Sequence, residues 1–297
     1  MSDARLHVLG AGSIGLLMAA GLARGAGLAP LLIRRTGSEP ARRRVYELRE
    51  GESVERVSLP QSAAEALAGP VRRLLVCTKA QDVLPALESL GAALDPAAVI
   101  LLLHNGMGVQ QAVARRWPGC AVAAGTTTEG AYRPAPDRLV HAGRGLTRLG
   151  RLQGEGADWA AWLNAAGFRA EWAEPIEYHL ADKLRVNALI NPLTVLHDCR
   201  NGELLERPAA LARMQVLGEE ADRVLAAAGW QYPRPAFEAA CAVARATGAN
   251  YSSMHQDARA GRTLEIAAIN GYLLALARAH RLPAPAHAAL MGEFSTS

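Results

Sequence analysis

The chain has 297 residues and a formal net charge of +4, from 32 Lys plus Arg against 28 Asp plus Glu. Half of its residues are apolar and a fifth are charged. That balance excludes a disordered tail, and so small a charge excess does not point to nucleic acid. The basic residues are 30 arginines and only two lysines, Lys79 and Lys183, in a chain with 60 alanines. Where arginine fills the purely electrostatic roles, a retained lysine marks a task for a titratable amine or a compact charge.

The first 170 residues alternate strand-like and helix-like segments. Leu6–Leu9 is a short apolar run that ends in glycine, and a helical segment follows from about Ser13 to Arg24. Leu31–Ile33 reads as a second buried strand, and residues 45–59 read as a hairpin around Gly51. Leu74–Cys77, Val99–Leu103 and Ala121–Thr126 are continuous apolar runs of the kind a parallel sheet buries on both faces. Arg138–Arg151 is expected to form a second hairpin around Gly143 and Gly145. This is the rhythm of an open α/β sheet. After about residue 174 the segments 176–197, 208–229, 235–247 and 264–281 have helical length and apolar spacing. Residues 1–173 are therefore expected to form an α/β Rossmann-type dinucleotide-binding domain, and residues 174–297 an all-α domain for substrate and catalysis.

Gly10-Ala11-Gly12-Ser13-Ile14-Gly15 is a G-x-G-x-x-G run placed between a predicted strand and a predicted helix. That context lets glycine backbone approach a pyrophosphate at a helix N-terminus. The second strand ends in Arg34-Arg35, with no carboxylate before Glu39. A guanidinium there suits a 2′-phosphate, which favours NADPH over NADH; the alternative is a solvated basic pair. Arg42-Arg43-Arg44 reads as a solvated helix face. Lys79 and Asn105 each follow a predicted parallel strand, at the edge where open α/β sheets bind ligands. Further on, Lys183, Asn187 and Asn191 are spaced to share one face of a largely apolar helix, and Pro192 predicts a local kink at Asn191. Asn250, Ser253 and Glu265 add polar groups, although a glutamate at a helix start can simply be a dipole partner.

The four cysteines, Cys77, Cys120, Cys199 and Cys241, are far apart and read as free thiols in a reducing cytosol. No metal site is expected. The apolar runs are too short to cross a bilayer, and no basic segment precedes an apolar core at the N-terminus, so the expectation is a cytoplasmic protein without membrane or nucleic-acid partners.

In order, the chain contains G-A-G-S-I-G, K-A, L-H-N-G-M-G, G-T-T-T, K-L-x-V-N-x-x-I-N-P-L-T, N-G-E-L, N-x-S-S-M, Q-D and T-x-E-I-x-x-I-N-G. This set resembles the ketopantoate reductase (2-dehydropantoate 2-reductase) family from residue 6 to about residue 290. The resemblance implies a Rossmann-type domain, a helical domain of the 6-phosphogluconate dehydrogenase C-terminal type, and an active site between them. It implies NADPH-dependent reduction of 2-dehydropantoate to (R)-pantoate in pantothenate biosynthesis, by a monomer or homodimer. Carried over by motif, Lys183 is the general acid and Glu265 contacts the substrate's hydroxyl end. Asn105, Asn187, Asn191, Asn250 and Ser253 surround substrate and nicotinamide. Gly10 to Gly15, Arg34, Lys79 and Asn105 contact the cofactor. Three rivals stand beside this reading: a dehydrogenase of the 6-phosphogluconate or hydroxyisobutyrate type, a family reductase for another 2-keto acid, and a non-enzymatic NADPH-sensing module.

Overall fold

The apolar runs of the first half become the middle of an eight-stranded sheet. In the computed structural model, which describes residues 5–25, 30–34 and 43–295, the elements of this half run in chain order. They are β1 (Leu6–Leu9), α1 (Ser13–Gly25), β2 (Leu31–Arg34), β3 (Arg44–Glu50), β4 (Ser53–Leu59), β5 (Gln61–Ala63), β6 (Val71–Val76) and α2 (Ala80–Glu88). Then come β7 (Leu94–Leu103), α3 (Val109–Arg116), β8 (Ala121–Thr127), β9 (Gly130–Ala135), β10 (Arg138–Gly143), β11 (Leu146–Gln153), α4 (Trp159–Ala165) and β12 (Arg169–Trp172). The large sheet has the order β12-β11-β8-β7-β6-β1-β2-β5, and a second sheet has the order β4-β3-β10-β9. The large sheet is parallel except that β11 runs antiparallel to β8.

Burial on both faces explains the continuous apolar composition of the central strands. Successive side chains of a strand point to opposite faces. Leu75 on β6 accordingly joins the core under α1, α4 and the small sheet. Its neighbours Leu74 and Val76 join the core under α2 and α3. Strand order reverses between β1 and β6, since the chain moves from β1 outward to β2 and later returns to β6 on the other side. The carboxyl ends of these two strands flank the crevice where such sheets take ligands.

Two local expectations are corrected. Arg138–Arg151 is not a hairpin, because β10 pairs with β9 and β3 in the small sheet while β11 pairs with β8 and β12 in the large one. Gly145 lies where the chain changes sheets, with its backbone packed on Thr128 and Glu129. The arginine run is not a helix face either: Arg43 binds the Ser58 side chain and carbonyl, and Arg44 opens β3. Arg35, Glu39 and Arg42 lie outside the described residues.

The second half is helical: α5 (Ile176–Leu196), α6 (Pro208–Ala227), α7 (Ala236–Ala246), α8 (Ser253–Arg259), α9 (Ile266–Ala279) and α10 (Pro285–Ser295). Backbone proximity divides the chain into two units, Met1–His104 with Val109–Glu177 and Asn105–Gly108 with Tyr178–Ser297. The loop after β7 thus groups with the helices, where Met107 N–H donates to Ala268 O on α9 at 3.1 Å. The predicted kink at Asn191 does not end α5, which continues through Pro192 to Leu196. Among the described residues no helix is long and apolar enough to cross a membrane.

Candidate active site

In the α/β unit, β1 runs into the glycine loop and α1 starts at Ser13. Gly10 has φ +104°, and a Cβ there would lie 2.7 Å from Thr78 N. A Cβ on Gly15 would lie 1.9 Å from Gly10 O. These glycines let the turn close on β6 and let α1 pack on the turn. Gly12 differs, because a Cβ there would meet nothing within 4 Å. Its backbone faces open space at the N-terminus of a helix with no acidic residue in its first turn. Ala11, Ser13 and Ile14 complete the loop. Bare backbone at a positive helix end fits a dinucleotide pyrophosphate.

Arg34 closes β2 at the same sheet edge, with Nη1 3.4 Å from Gln61 Oε1 on β5. Lys79 is the residue before α2, just beyond β6, and its side chain does not cap that helix. Both belong to the strand ends beside the glycine loop. Cys77, packed under Gly15, is inert as a nucleophile, since burial pushes its thiol up to about 12. All four cysteines are free.

In the helical unit, α5 carries Lys183, Asn187 and Asn191. Asn191 is buried, and the other two are partly exposed. Loss of water around its partly buried amine pulls the Lys183 ammonium down to about 8, against the opposing attraction of the Glu265 carboxylate. Glu265 immediately precedes α9, is buried, and does not cap that helix with its side chain. It accepts instead from Asn105 Nδ2 at 3.0 Å. The reading of Glu265 as a mere dipole partner therefore gives way to a carboxylate held by an amide and acting on a lysine. This arrangement holds an amine that can give up a proton near neutral pH.

Asn250 and Ser253 are both exposed, at the α7–α8 connection. The hydroxyl that links this connection to α5 is that of the neighbouring Ser252, 2.7 Å from Thr194 Oγ1. Ser252 also caps α8 by accepting from His255 N–H at 3.1 Å. The structure thus brings Lys183, Glu265 and Asn105 into one electrostatic group, while Asn250 and Ser253 present free-facing polar surface.

Three polar groups escaped the reading of the sequence. Asn201 is buried, its N–H donates to Asn250 O at 2.9 Å, and its Oδ1 has no partner among the described residues. Its place in the N-G-E-L run was the available signal. Arg133 on β9 donates to Ala11 O at 3.0 Å, which puts a guanidinium against the glycine loop. Nothing local announces it, for 122 residues separate the partners. Asn270 is wholly buried on α9. Among the described residues no group of three or more His, Cys, Asp or Glu could hold a metal ion.

Residues 6–154 match the family described as ketopantoate reductase PanE/ApbA, and residues 176–296 match its C-terminal domain. The chain belongs to the ketopantoate reductase family. A 2-dehydropantoate 2-reductase of Halobacterium salinarum is 32% identical over 288 residues, 95% of this chain and 94% of its own. Among solved structures, a PanE/ApbA family ketopantoate reductase from Ralstonia eutropha JMP134 has a TM-score of 0.85 and 26% identity, covering 96% of this chain and 95% of its own. A D-mandelate dehydrogenase with NADH and anilino(oxo)acetate has a TM-score of 0.83 at 22% identity, covering 96% of each chain, and shares the fold. The ketopantoate reductase architecture, a parallel α/β unit followed by a helical one, is the one the strand and helix patterns predicted.

Proposed function

We propose that this ketopantoate reductase family member reduces 2-dehydropantoate to (R)-pantoate with NADPH, as a step in pantothenate biosynthesis in the cytoplasm. The observation that carries the chemistry is the lysine on α5, lowered to about 8 by burial and faced by the Glu265 carboxylate. In this reading residues 1–173 bind the dinucleotide and residues 174–297 act on the keto acid. When bound, NADPH supplies a hydride to the ketone carbon. The glycine loop and the α1 N-terminus hold the pyrophosphate, and Arg34 and Lys79 place positive charge at the sheet edge.

Negative charge develops on the ketone oxygen as its carbon is reduced. Protonated Lys183 stabilises that charge and gives one proton from Nζ to the oxygen, leaving a neutral amine that solvent reprotonates. Positioned proton transfer of this kind contributes roughly 10²–10⁴-fold. Glu265 accepts from the substrate's terminal hydroxyl, and Asn105 holds that carboxylate in place. Asn250 and Ser253 donate to the substrate carboxylate, while Asn187 and Asn191 line the same helix face. No nucleic acid is involved, and the active species is a monomer or homodimer.

NADPH oxidation followed with ketopantoate beside a panel of 2-keto acids tests the reading. Ketopantoate should give the highest kcat/KM. A polar acceptor that demands a hydroxyl discriminates against analogues lacking it. Glu265→Ala should therefore raise KM for ketopantoate about tenfold or more, and for a hydroxyl-free branched keto acid much less. Equal effects on both would remove the specificity role of Glu265. A higher kcat/KM for another keto acid would reassign the substrate.

A further inference from the structure

Pro192 lies inside α5, and a proline has no N–H to give. In an unbroken helix the donor of residue 192 would serve the carbonyl four residues back, that of Ala188. That carbonyl is served from another helix, since Asn270 Nδ2 on α9 donates to Ala188 O at 2.9 Å. Asn270 is fully buried on the face of α9 that also buries Ile269, Leu273 and Ala277.

The orientation of this amide follows from its neighbours. Asn270 Nδ2 is also 3.2 Å from His287 Nδ1, and His287 Nε2 is 3.2 Å from Leu217 O. A neutral imidazole donates from one nitrogen and accepts at the other. The Leu217 carbonyl can only accept, so Nε2 carries the hydrogen and Nδ1 accepts from Asn270. Burial keeps the ring neutral by pulling His287 below its usual range, against the nearby Glu220 carboxylate. Glu220 accepts from the backbone N–H groups of Ala286 at 2.9 Å and His287 at 3.0 Å, which fixes the start of α10. A chain of side chains thus runs from α5 through α9 and α10 to α6.

Asn270 Oδ1 has no partner among the described residues. Burying an unpaired carbonyl oxygen is unfavourable, and an apolar residue would avoid it. The amide's donor is therefore the reason for an asparagine at this position.

The geometry points to Asn270 as a positioning residue for the reaction: its amide replaces the hydrogen bond that Pro192 removes from α5, and so sets the helix of Lys183 against the helix that follows Glu265. The inference rests on Lys183 as proton donor.

A double-mutant cycle on the full chain tests it, with Asn270→Leu, Pro192→Ala and the combination. Alanine at 192 returns a backbone N–H to Ala188 O, so the cycle isolates the link. Small misplacements of reacting groups can lower rates by up to about 10²-fold. Asn270→Leu should lower kcat about tenfold. It should also displace the pH at which kcat falls, with ketopantoate KM and NADPH Kd within about twofold of normal. In the Pro192→Ala background the same change should lower kcat less than about twofold. An equal loss in both backgrounds overturns the link. Unchanged kcat and pH profile in Asn270→Leu overturn the positioning role. If Asn270→Leu alone does not fold, a folded double variant supports the link, and an unfolded one overturns it. The cycle is also read in melting temperature, where coupling reports the Ala188 link whatever Lys183 does. Full kcat in Lys183→Ala would instead remove the donor role, so the two failures are told apart.

Discussion

Lys183 owes its chemistry to two opposing influences. Burial disfavours its charged form, while the Glu265 carboxylate favours it, and burial prevails to leave the ammonium at about 8. The sign of the pH dependence follows. In the proposed mechanism ketone reduction needs the protonated amine, so kcat/KM should be flat below about pH 8 and fall as pH rises through it. Pantoate oxidation needs the neutral amine and should show the opposite limb. Arginine would keep the charge but hold its proton. Lys183→Arg should therefore lower kcat by roughly 10²–10⁴-fold while NADPH titrated by fluorescence still binds. Near-normal kcat in that variant would end the general-acid assignment. The scarcity of lysine singled out this residue, but it could not reveal Glu265 as the partner, because 82 positions separate them in the sequence.

At the scale of elements, the glycine loop offers separate tests of folding and of the proposed cofactor binding. An alanine Cβ at Gly15 would meet backbone at Gly10 O, 1.9 Å away, so β1, α1 or the turn must shift. Overpacking of this kind costs about 1–3 kcal/mol. Gly15→Ala should accordingly lower the melting temperature of the apoprotein. A Cβ at Gly12 would meet nothing of this chain within 4 Å. Gly12→Ala should leave the apoprotein's melting temperature nearly unchanged yet weaken NADPH about tenfold or more, because in the proposed binding mode the methyl would project where the pyrophosphate approaches. Equal NADPH affinity in Gly12→Ala and the parent protein would move the cofactor away from this loop. The G-x-G-x-x-G spacing was legible from the sequence, since it reflects a local turn chemistry. The expected hairpin at 138–151 was not a sound guide. Gly143 and Gly145 signal a turn, but a glycine signal does not say which strands pair, and long-range partners placed β10 and β11 in different sheets. Short, mostly exposed strands such as β12, with only Ala170 even partly buried, carry no apolar pattern to read.

At the scale of the whole molecule, the proposed NADPH preference would be set at the carboxyl edge of the large sheet. β2 ends there in Arg34, and the next strand of the sheet supplies Gln61 beside it. A guanidinium forms charge-assisted bonds with a 2′-phosphate that NADH lacks. The ratio of kcat/KM for NADPH over NADH should be well above one, and Arg34→Glu should reduce it at least about tenfold, or 1.4 kcal/mol. A ratio unmoved by that change would assign the preference to another residue.

The sequence by itself determined the class of the fold and the inventory of chemical groups. Continuous apolar runs specify buried parallel strands, helical spacing specifies the second half, and the two lysines and the ordered motifs mark the candidate positions. These are local properties, readable wherever neighbouring residues carry the signal. The tertiary structure alone decided which groups work together. Asn105 donates to Glu265 across 160 positions, Asn270 serves the carbonyl to which Pro192 has no N–H to give, and Arg133 reaches the loop at Ala11. Hydrogen bonds act over about 3 Å. Partners at that range are set by how strands and helices pack, and packing is a property of the folded chain rather than of any stretch of it.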